Sequence, residues 1–260
     1  SHLVDRLLAE DHAVDVIDDL SHGSLANLAD ARASGGALKI HHLDAGSEDA
    51  STLLGLRRPD VVYLLGLLPR HDRTPAAQAS AFAVALATAE AARRHGITKV
   101  VLALPASVLH GHPAMRDLPV KEGEISQLVT RGVRGVVAKA IAELFVAYRD
   151  LYAIEFTALT MATVYGPRQR ADSGVVAALW AAARSGSPPE IHGDGRQTRD
   201  LLYVDDAVDA LVRAAERGGG LMINVGTGEQ TSVLQLWSHL APDVGAVGDP
   251  GHRRLDDLAR

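Results

Sequence analysis

Residues 61–68 read VVYLLGLL. No charge interrupts the run and polar residues do not alternate with the apolar ones, which is the pattern of a parallel strand buried on both faces. The segment ahead of it, STLLGLRRPD (51–60), reads as a helix that ends at Pro59. The segment behind it, PAAQASAFAVALATAEAARRHG (75–96), reads as a long helix closed by Gly96. Arg93, Arg94 and His95 fall in its last turn, where cations complement the helix dipole. KVVLALPAS (99–107) is the next buried strand. Strand, long helix and strand in this order make a βαβ unit, the building block of a parallel sheet covered on both faces.

The same alternation extends in both directions. SHLVDRLLAE (1–10) sets Leu3, Val4, Leu7 and Leu8 on one stripe of an amphipathic helix. AVDVID (13–18) and LKIHHLDA (38–45) read as strands around a turn and short helix, SHGSLANLADARASGG (21–36). Downstream, a helix over 133–152 leads into a strand through AIEFTALTMATVYGP (153–167). Right-handed crossovers then give an α/β, doubly wound, mostly parallel sheet of the Rossmann type over residues 1–165. Beyond residue 165 glycine and proline rise and the elements shorten, so 166–260 is expected to form a smaller lobe interleaved with the first. A doubly wound nucleotide-binding fold opens on a strand and a glycine-rich turn that holds a pyrophosphate at the following helix N-terminus. This sequence opens on the helix, so that first strand and its loop are expected to be missing from the chain.

Composition excludes several classes. The 260 residues are 47% hydrophobic and 22% charged, enough for a sizeable core. Net charge is −6 and no Lys/Arg-rich run stands out, which argues against a nucleic-acid partner. The absence of cysteine removes disulfides, thiolate metal sites and cysteine nucleophiles. No apolar run reaches membrane-spanning length and the N-terminal helix does not resemble a signal peptide, so a cytoplasmic protein without a membrane partner is expected. The 12 histidines are scattered without metal-ligand spacing, and no metal site is expected. There is no G-x-S-x-G elbow.

Several residues could carry chemistry. Asp18, at the end of the second strand of such a fold, either binds the adenosine ribose hydroxyls or begins a turn. Asp44 either caps an adenine or caps a helix. GDGRQTRDLLYVDDAVDAL (193–211) combines a glycine turn, Arg196 and Arg199, a short strand and an acidic helix start. Arginine suits a diphosphate through its planar fork, although Arg199 in a surface ion pair is the plainer alternative. NVGTGEQTSVLQL (224–236) by itself is a strand-to-helix connection. RGVRGVVAKAIAELF (131–145) places Lys139 four residues after Gly135 on one helix.

Taken together, SHLVDRLLAE, DVIDDLSHG, PDVVYLLG, VLHG, VAKAIAE, TVYGPRQ, GDGRQTRDLLYVDD and NVGTGEQTS resemble the extended short-chain dehydrogenase/reductase family, in particular its NAD-dependent nucleotide-sugar epimerases and dehydratases. They follow the family's order over nearly the whole chain, whose two ends, before SHLVDRLL and after GHRRLDDLAR, are expected to be clipped. The resemblance implies NAD as cofactor and a nucleotide sugar as ligand, bound by the 166–260 lobe. In that family a tyrosine takes a sugar hydroxyl's proton, a lysine lowers the tyrosine's pKa and holds the nicotinamide ribose, and a Ser or Thr shares the hydrogen bond. Carried over, Asp18 is the ribose-binding acid, Lys139 the active-site lysine and Arg199 the diphosphate-gripping arginine. Ala106 stands at the Ser/Thr position, beside Ser107, and Gly135 at the tyrosine position. Thr163 replaces an asparagine, Thr160 an arginine, and Ala81 falls at about the place of a further asparagine.

The departures cluster at the reaction centre. They leave a 4-epimerase-like protein with a degenerate Ser/Tyr pair, a catalytically silent pseudoenzyme that binds a nucleotide, a nucleotide sugar or an active paralogue, or a reductase or isomerase on a non-sugar substrate. His110, Tyr148 and Tyr165 are replacement acids by residue type, His110 as a surrogate base and Tyr165 as a structural residue of the VYGP motif. Helices 78–94 and 136–148 are apolar around most of their circumference, and family members pair these helices, so a homodimer, or a heterodimer with an active paralogue, is expected.

Overall fold

In the computed structural model of the protein, residues 1–21, 23–68, 73–111, 113–240 and 251–253 are described. The expected lobe's stretches 241–250 and 254–260 lie outside them. In chain order the elements are α1 (His2–Ala9), β1 (Val14–Asp18), α2 (Ala29–Ala33), β2 (Leu38–His42), α3 (Glu48–Arg57), β3 (Val61–Leu64), α4 (Pro75–His95), β4 (Lys99–Pro105), α5 (Ala106–Leu109), α6 (Gly132–Tyr152) and β5 (Glu155–Met161). Then come β6 (Thr163–Tyr165), α7 (Val175–Ser185), β7 (Glu190–His192), β8 (Thr198–Arg199), β9 (Leu201–Tyr203), α8 (Val204–Glu216), β10 (Leu221–Val225), β11 (Thr231–Ser232), α9 (Val233–Leu240) and β12 (Gly251–Arg253). They form two compact units, residues 1–161 with 205–225, and residues 162–204 with 226–260.

The first unit is a parallel α/β structure of the Rossmann type. β1 pairs with β2, and a four-stranded sheet runs in the order β10-β5-β4-β3, every pairing parallel. The most central strands, β4 and β5, are buried along most of their length, as strands with helices on both faces must be. Phe156, Val100 and Leu102 from these strands meet Phe145, Ile141 and Ala138 from α6 and Ala85 and Ala89 from α4 in one core. Alanine on the inward faces of α4 and α6 lets these helices approach closely. The ends of α4 are set by local chemistry. The Thr74 hydroxyl accepts from the Ala77 amide, Pro75 occupies the first turn, and Gly96 closes the helix at φ 72°.

The second unit holds short strand pairs, β6 with β9, β8 with β11 and β7 with β12, and a core of Leu179, Ala183, Ile191, Val233, Leu236 and Trp237. Ser232 and Gln235 cap α9 reciprocally, each backbone amide donating to the other's side chain.

The structure corrects three strand ends. The apolar run 61–68 is strand only to Leu64; Leu67 and Leu68 are buried beyond it, a case in which hydrophobicity does not separate a strand from a buried connection. The stretch 153–167 is two strands, because the chain leaves the first unit at Ala162 and β6 pairs with β9 instead of continuing the main sheet. The stretch 99–107 stops at Pro105 and turns directly into α5.

Candidate functional site

In the first unit the parallel register sets Pro105, Met161 and Val225 at one edge of the sheet, with Leu104, Thr160 and Asn224 one row inside. α5 follows β4 immediately at this carboxyl edge. Both α4 and α6 lead back to strands that run towards this edge, so the helices run away from it and their first turns lie there. Ligands of open parallel sheets bind outside the carboxyl ends of the strands, and the loops there supply the specific contacts.

Gly135, in the first turn of α6, is buried. A Cβ added there would lie 3.0 Å from the Val108 carbonyl oxygen of α5 and 3.0 Å from Thr130 Cβ. Both obstacles are close to the main chain, so a side chain at 135 requires α5 or the 126–131 segment to shift. The space beside Gly135 is therefore taken up by its neighbours. One turn on, the Lys139 ammonium donates to the carbonyls of Ser126 and Leu128, each at 2.9 Å, and lies 3.7 Å from Glu143. Arg134, between these two residues and the helix start, donates to the Leu68 carbonyl at 3.0 Å and so ties α6 to the segment after β3. Ala106 opens α5, while Ser107 beside it is exposed.

A polar network joins this edge to β10. Asn224 Nδ2 donates to the Val120 carbonyl at 3.0 Å, and the Asn224 backbone amide donates to Glu122 Oε1 at 2.8 Å. Asn224 Oδ1 accepts from the buried Thr160 hydroxyl and lies 3.1 Å from His110 Nε2. His110 caps the end of α5, its backbone amide bonded to the Ala106 carbonyl at 2.8 Å. Residues 106 and 110, four apart on this turn, share a face.

Asp18 ends β1 beside His42, its register partner. Its Oδ1 accepts from the Leu20 amide at 2.7 Å, the turn form of the alternatives, while Asp18 also lines an open cavity of about 500 Å³ with Leu20, Leu25, Arg32, Leu38, Ile40 and His42. Gly23 closes over this carboxylate so tightly that a Cβ there would meet Oδ2 at 2.9 Å. Asp44 does not line the cavity; its Oδ1 accepts from Gly46 N and its carbonyl from Ser47, the N-cap of α3. That is helix-entry geometry.

In the second unit, Thr163 N donates to the Asp200 carbonyl, which brings Thr163 beside the Arg199–Asp200 pair. Arg199 sits in β8 opposite Thr231, half-buried, with Nη1 on the Thr198 carbonyl. Among the described residues no carboxylate pairs with its guanidinium, unlike Arg170, which is held by Asp172. Asp200 was not legible as a site residue. Its carboxylate accepts from Thr227 N, Thr227 Oγ1 and Gly228 N and so fixes the glycine turn of NVGTG.

The remaining candidates by type lie elsewhere. Tyr148 donates to Glu90 far along α6, and its burial and the Glu90 charge push the phenol pKa up, the opposite of activation. Tyr165 packs edge-on against Tyr203 with ring centroids 5.5 Å apart in the β6–β9 pair. Ala81 is buried in α4. Among the described residues no acidic or histidine cluster could hold a metal ion, and no helix is long and apolar enough to cross a membrane.

The chain belongs to the NAD dependent epimerase/dehydratase family, whose sequence model matches residues 1–226. It is 36% identical to a UDP-glucose 4-epimerase of Mycolicibacterium smegmatis over 100% of this chain and 84% of that protein. Among solved structures it is similar to a UDP-glucose 4-epimerase of Thermotoga maritima determined with UDP-glucose, with a TM-score of 0.86 and 27% identity over 97% of this chain and 81% of that one. A UDP-glucuronic acid 4-epimerase of Bacillus cereus in complex with NAD superposes with a TM-score of 0.83 and 26% identity, covering 97% and 83% of the two chains.

Proposed function

We propose that this chain is a nucleotide-sugar 4-epimerase-type protein that binds NAD and a UDP-hexose and works without the family's Ser/Tyr pair. The observation that carries the second half is the close packing of Val108 and Thr130 over Gly135, where a Cβ would lie 3.0 Å from each and no phenol stands four residues before Lys139. NAD supplies a reversible hydride acceptor in such chemistry. The residues present fit part of it: the Asp18 carboxylate beside an apolar cavity of Leu20, Leu25, Leu38 and Ile40 suits an adenosine, with the acid on the ribose hydroxyls. Lys139 is the group for the second ribose. Arg199, half-buried and without a carboxylate partner among the described residues, takes the UDP diphosphate by charge-assisted hydrogen bonds, with Thr163 next to it.

A second reading, a silent binding protein, is favoured by Lys139, whose ammonium is already engaged by two carbonyls of its own chain. The two readings separate in one experiment: calorimetric titration with NAD and with UDP-glucose, followed by NMR of the sugar after incubation with both. Conversion of UDP-glucose to its 4-epimer supports the first reading. Binding without conversion supports the second, and failure to bind either ligand removes both. Under either reading we propose a homodimer through α4 and α6, which leave Leu86, Val133 and Val136 exposed. A light-scattering mass equal to one chain refutes it.

A further inference from the structure

We infer that His110 is the acid/base group of this protein, acting through Nδ1, and that Asn224 is the positioning residue that frees that nitrogen. The inference rests on the first of the two readings above.

The tautomer follows from the hydrogen bonds in order. The Val120 carbonyl can only accept, so the atom of Asn224 facing it at 3.0 Å is the amide nitrogen. Asn224 Oδ1 therefore faces the other way, towards Thr160 Oγ1 and His110 Nε2. A carbonyl oxygen can only accept. The nitrogen 3.1 Å from it, His110 Nε2, must carry the hydrogen. In the neutral imidazole Nδ1 is then the bare lone pair, and no described residue bonds to it. An orienting acceptor on one ring nitrogen with a free lone pair on the other is the arrangement of a histidine general base. Here a neutral amide takes the place of the more common carboxylate.

Placement agrees with chemistry. His110 is one turn along α5 from Ala106, on the same face as the position where the family carries its hydroxyl. Its partner is anchored in the sheet: Asn224 lies in register with Thr160, itself buried, and Glu122 holds the Asn224 backbone amide. The imidazole is thus held by β10 and β5, without any contribution from Gly135. In the role assigned to it, Nδ1 takes the proton of a sugar hydroxyl, becoming imidazolium, and returns it to the same oxygen, becoming neutral again. NAD, when held by Asp18 and Lys139, would supply the reversible acceptor for the hydride that leaves the carbon as the alcohol becomes a ketone and comes back as the alcohol is restored.

The test uses the full chain. Two-bond ¹H–¹⁵N correlation spectra of ¹⁵N-labelled protein, with His110 assigned by His110→Gln, report the tautomer: Nε2–H is expected, and Nδ1–H overturns the inference. Asn224→Leu removes the acceptor and is expected to return His110 to a mixture of tautomers, whereas Asn224→Asp, which keeps an oxygen facing Nε2, is expected to preserve Nε2–H. An unchanged tautomer in Asn224→Leu removes Asn224 from the role. His110→Ala is expected to lower conversion of UDP-glucose by about 10²-fold or more, with partial rescue by added imidazole. Undiminished conversion in His110→Ala overturns the inference even if Asn224→Leu fails to fold. A wild-type chain that binds UDP-glucose and NAD but converts nothing also overturns it while leaving the binding role intact. A chain that binds neither ligand fails at the earlier reading.

Discussion

Placing a phenol at position 135, four residues before Lys139, tests the proposed function directly, and the contacts at Gly135 predict that the protein resists it. Alanine for glycine inside a helix is worth about 1 kcal/mol in propensity. At 135 the new Cβ meets the Val108 carbonyl oxygen and Thr130 Cβ, each at 3.0 Å. Contacts that close force a local displacement, and overpacking of a filled site costs about 1–3 kcal/mol. The balance for Gly135→Ala is a destabilisation of about 1 kcal/mol, or a melting temperature lower by about 2–4 °C for a protein of this size. Gly135→Tyr carries the same clash and a ring with no space to enter, so its cost is expected to reach about 3 kcal/mol or more with no gain in epimerase activity.

The assay is thermal and urea unfolding of the two variants beside Thr130→Gly and the double variant Thr130→Gly/Gly135→Ala. Removing Thr130 Cβ takes away one of the two obstacles, so the double variant is expected to be more stable than the sum of the singles predicts, the mark of residues in direct contact. A Gly135→Ala protein that gains the full helix propensity refutes the packing argument. So does a Gly135→Tyr protein that melts with the wild type.

Three further outcomes follow from other parts of the molecule. Gln78 is 4% exposed on α4 and neither atom of its amide has a partner among the described residues, so the near-isosteric Gln78→Met is expected to raise stability by about 1–3 kcal/mol in urea unfolding. Asp200→Ala removes the acceptor of three hydrogen bonds from the 227–228 turn and is expected to cost about 2–4 kcal/mol, with Asp200→Asn intermediate, measured by the same melts and by hydrogen exchange at Gly228. Hydrogen bonds from Arg93 first, and then from Arg94 and Tyr148, hold the Glu90 carboxyl down at about 2 against an ordinary value of 4.5. A depressed carboxylate pKa gives stability that is complete above the unfolded value and is lost as pH falls through the folded one. Glu90→Gln is therefore expected to flatten the fall in stability between about pH 4.5 and pH 2, and an unchanged slope refutes the assignment.

The parallel α/β arrangement was legible because hydrophobic periodicity and helix caps are local properties. Thr74–Pro75 and Gly96 bound α4 where the sequence places them. The strand ends were not, since Leu67 and Leu68 are as buried after β3 as they would be within it. Lys139 and the glycine at 135 were likewise readable on one helix. What occupies the tyrosine's place was not, because Thr130 and the Val108 carbonyl reach Gly135 only through the path of the 110–131 segment. Asn224 and Asp200 were passed over inside motifs that read as a plain strand-to-helix connection and as a companion to Arg199. A signal for the first was present: LMINV carries one amide in an otherwise apolar strand, next to its end. Such a residue on a strand that pairs with a buried one is expected to have its hydrogen bonds met.

At the start of α6 the space beside Gly135 is occupied by Val108 and Thr130. The Lys139 ammonium donates to the Ser126 and Leu128 carbonyls, so it has partners without a phenol. Beside it Thr160, Asn224 and Glu122 link β5, β10 and the segment after α5, and His110 hangs from that link. The part-buried Asn224 amide is bonded at both ends and orients His110. The packing at Gly135 and the bonding of His110 are independent features, so unfolding of the Gly135 variants and the tautomer of His110 can be decided separately.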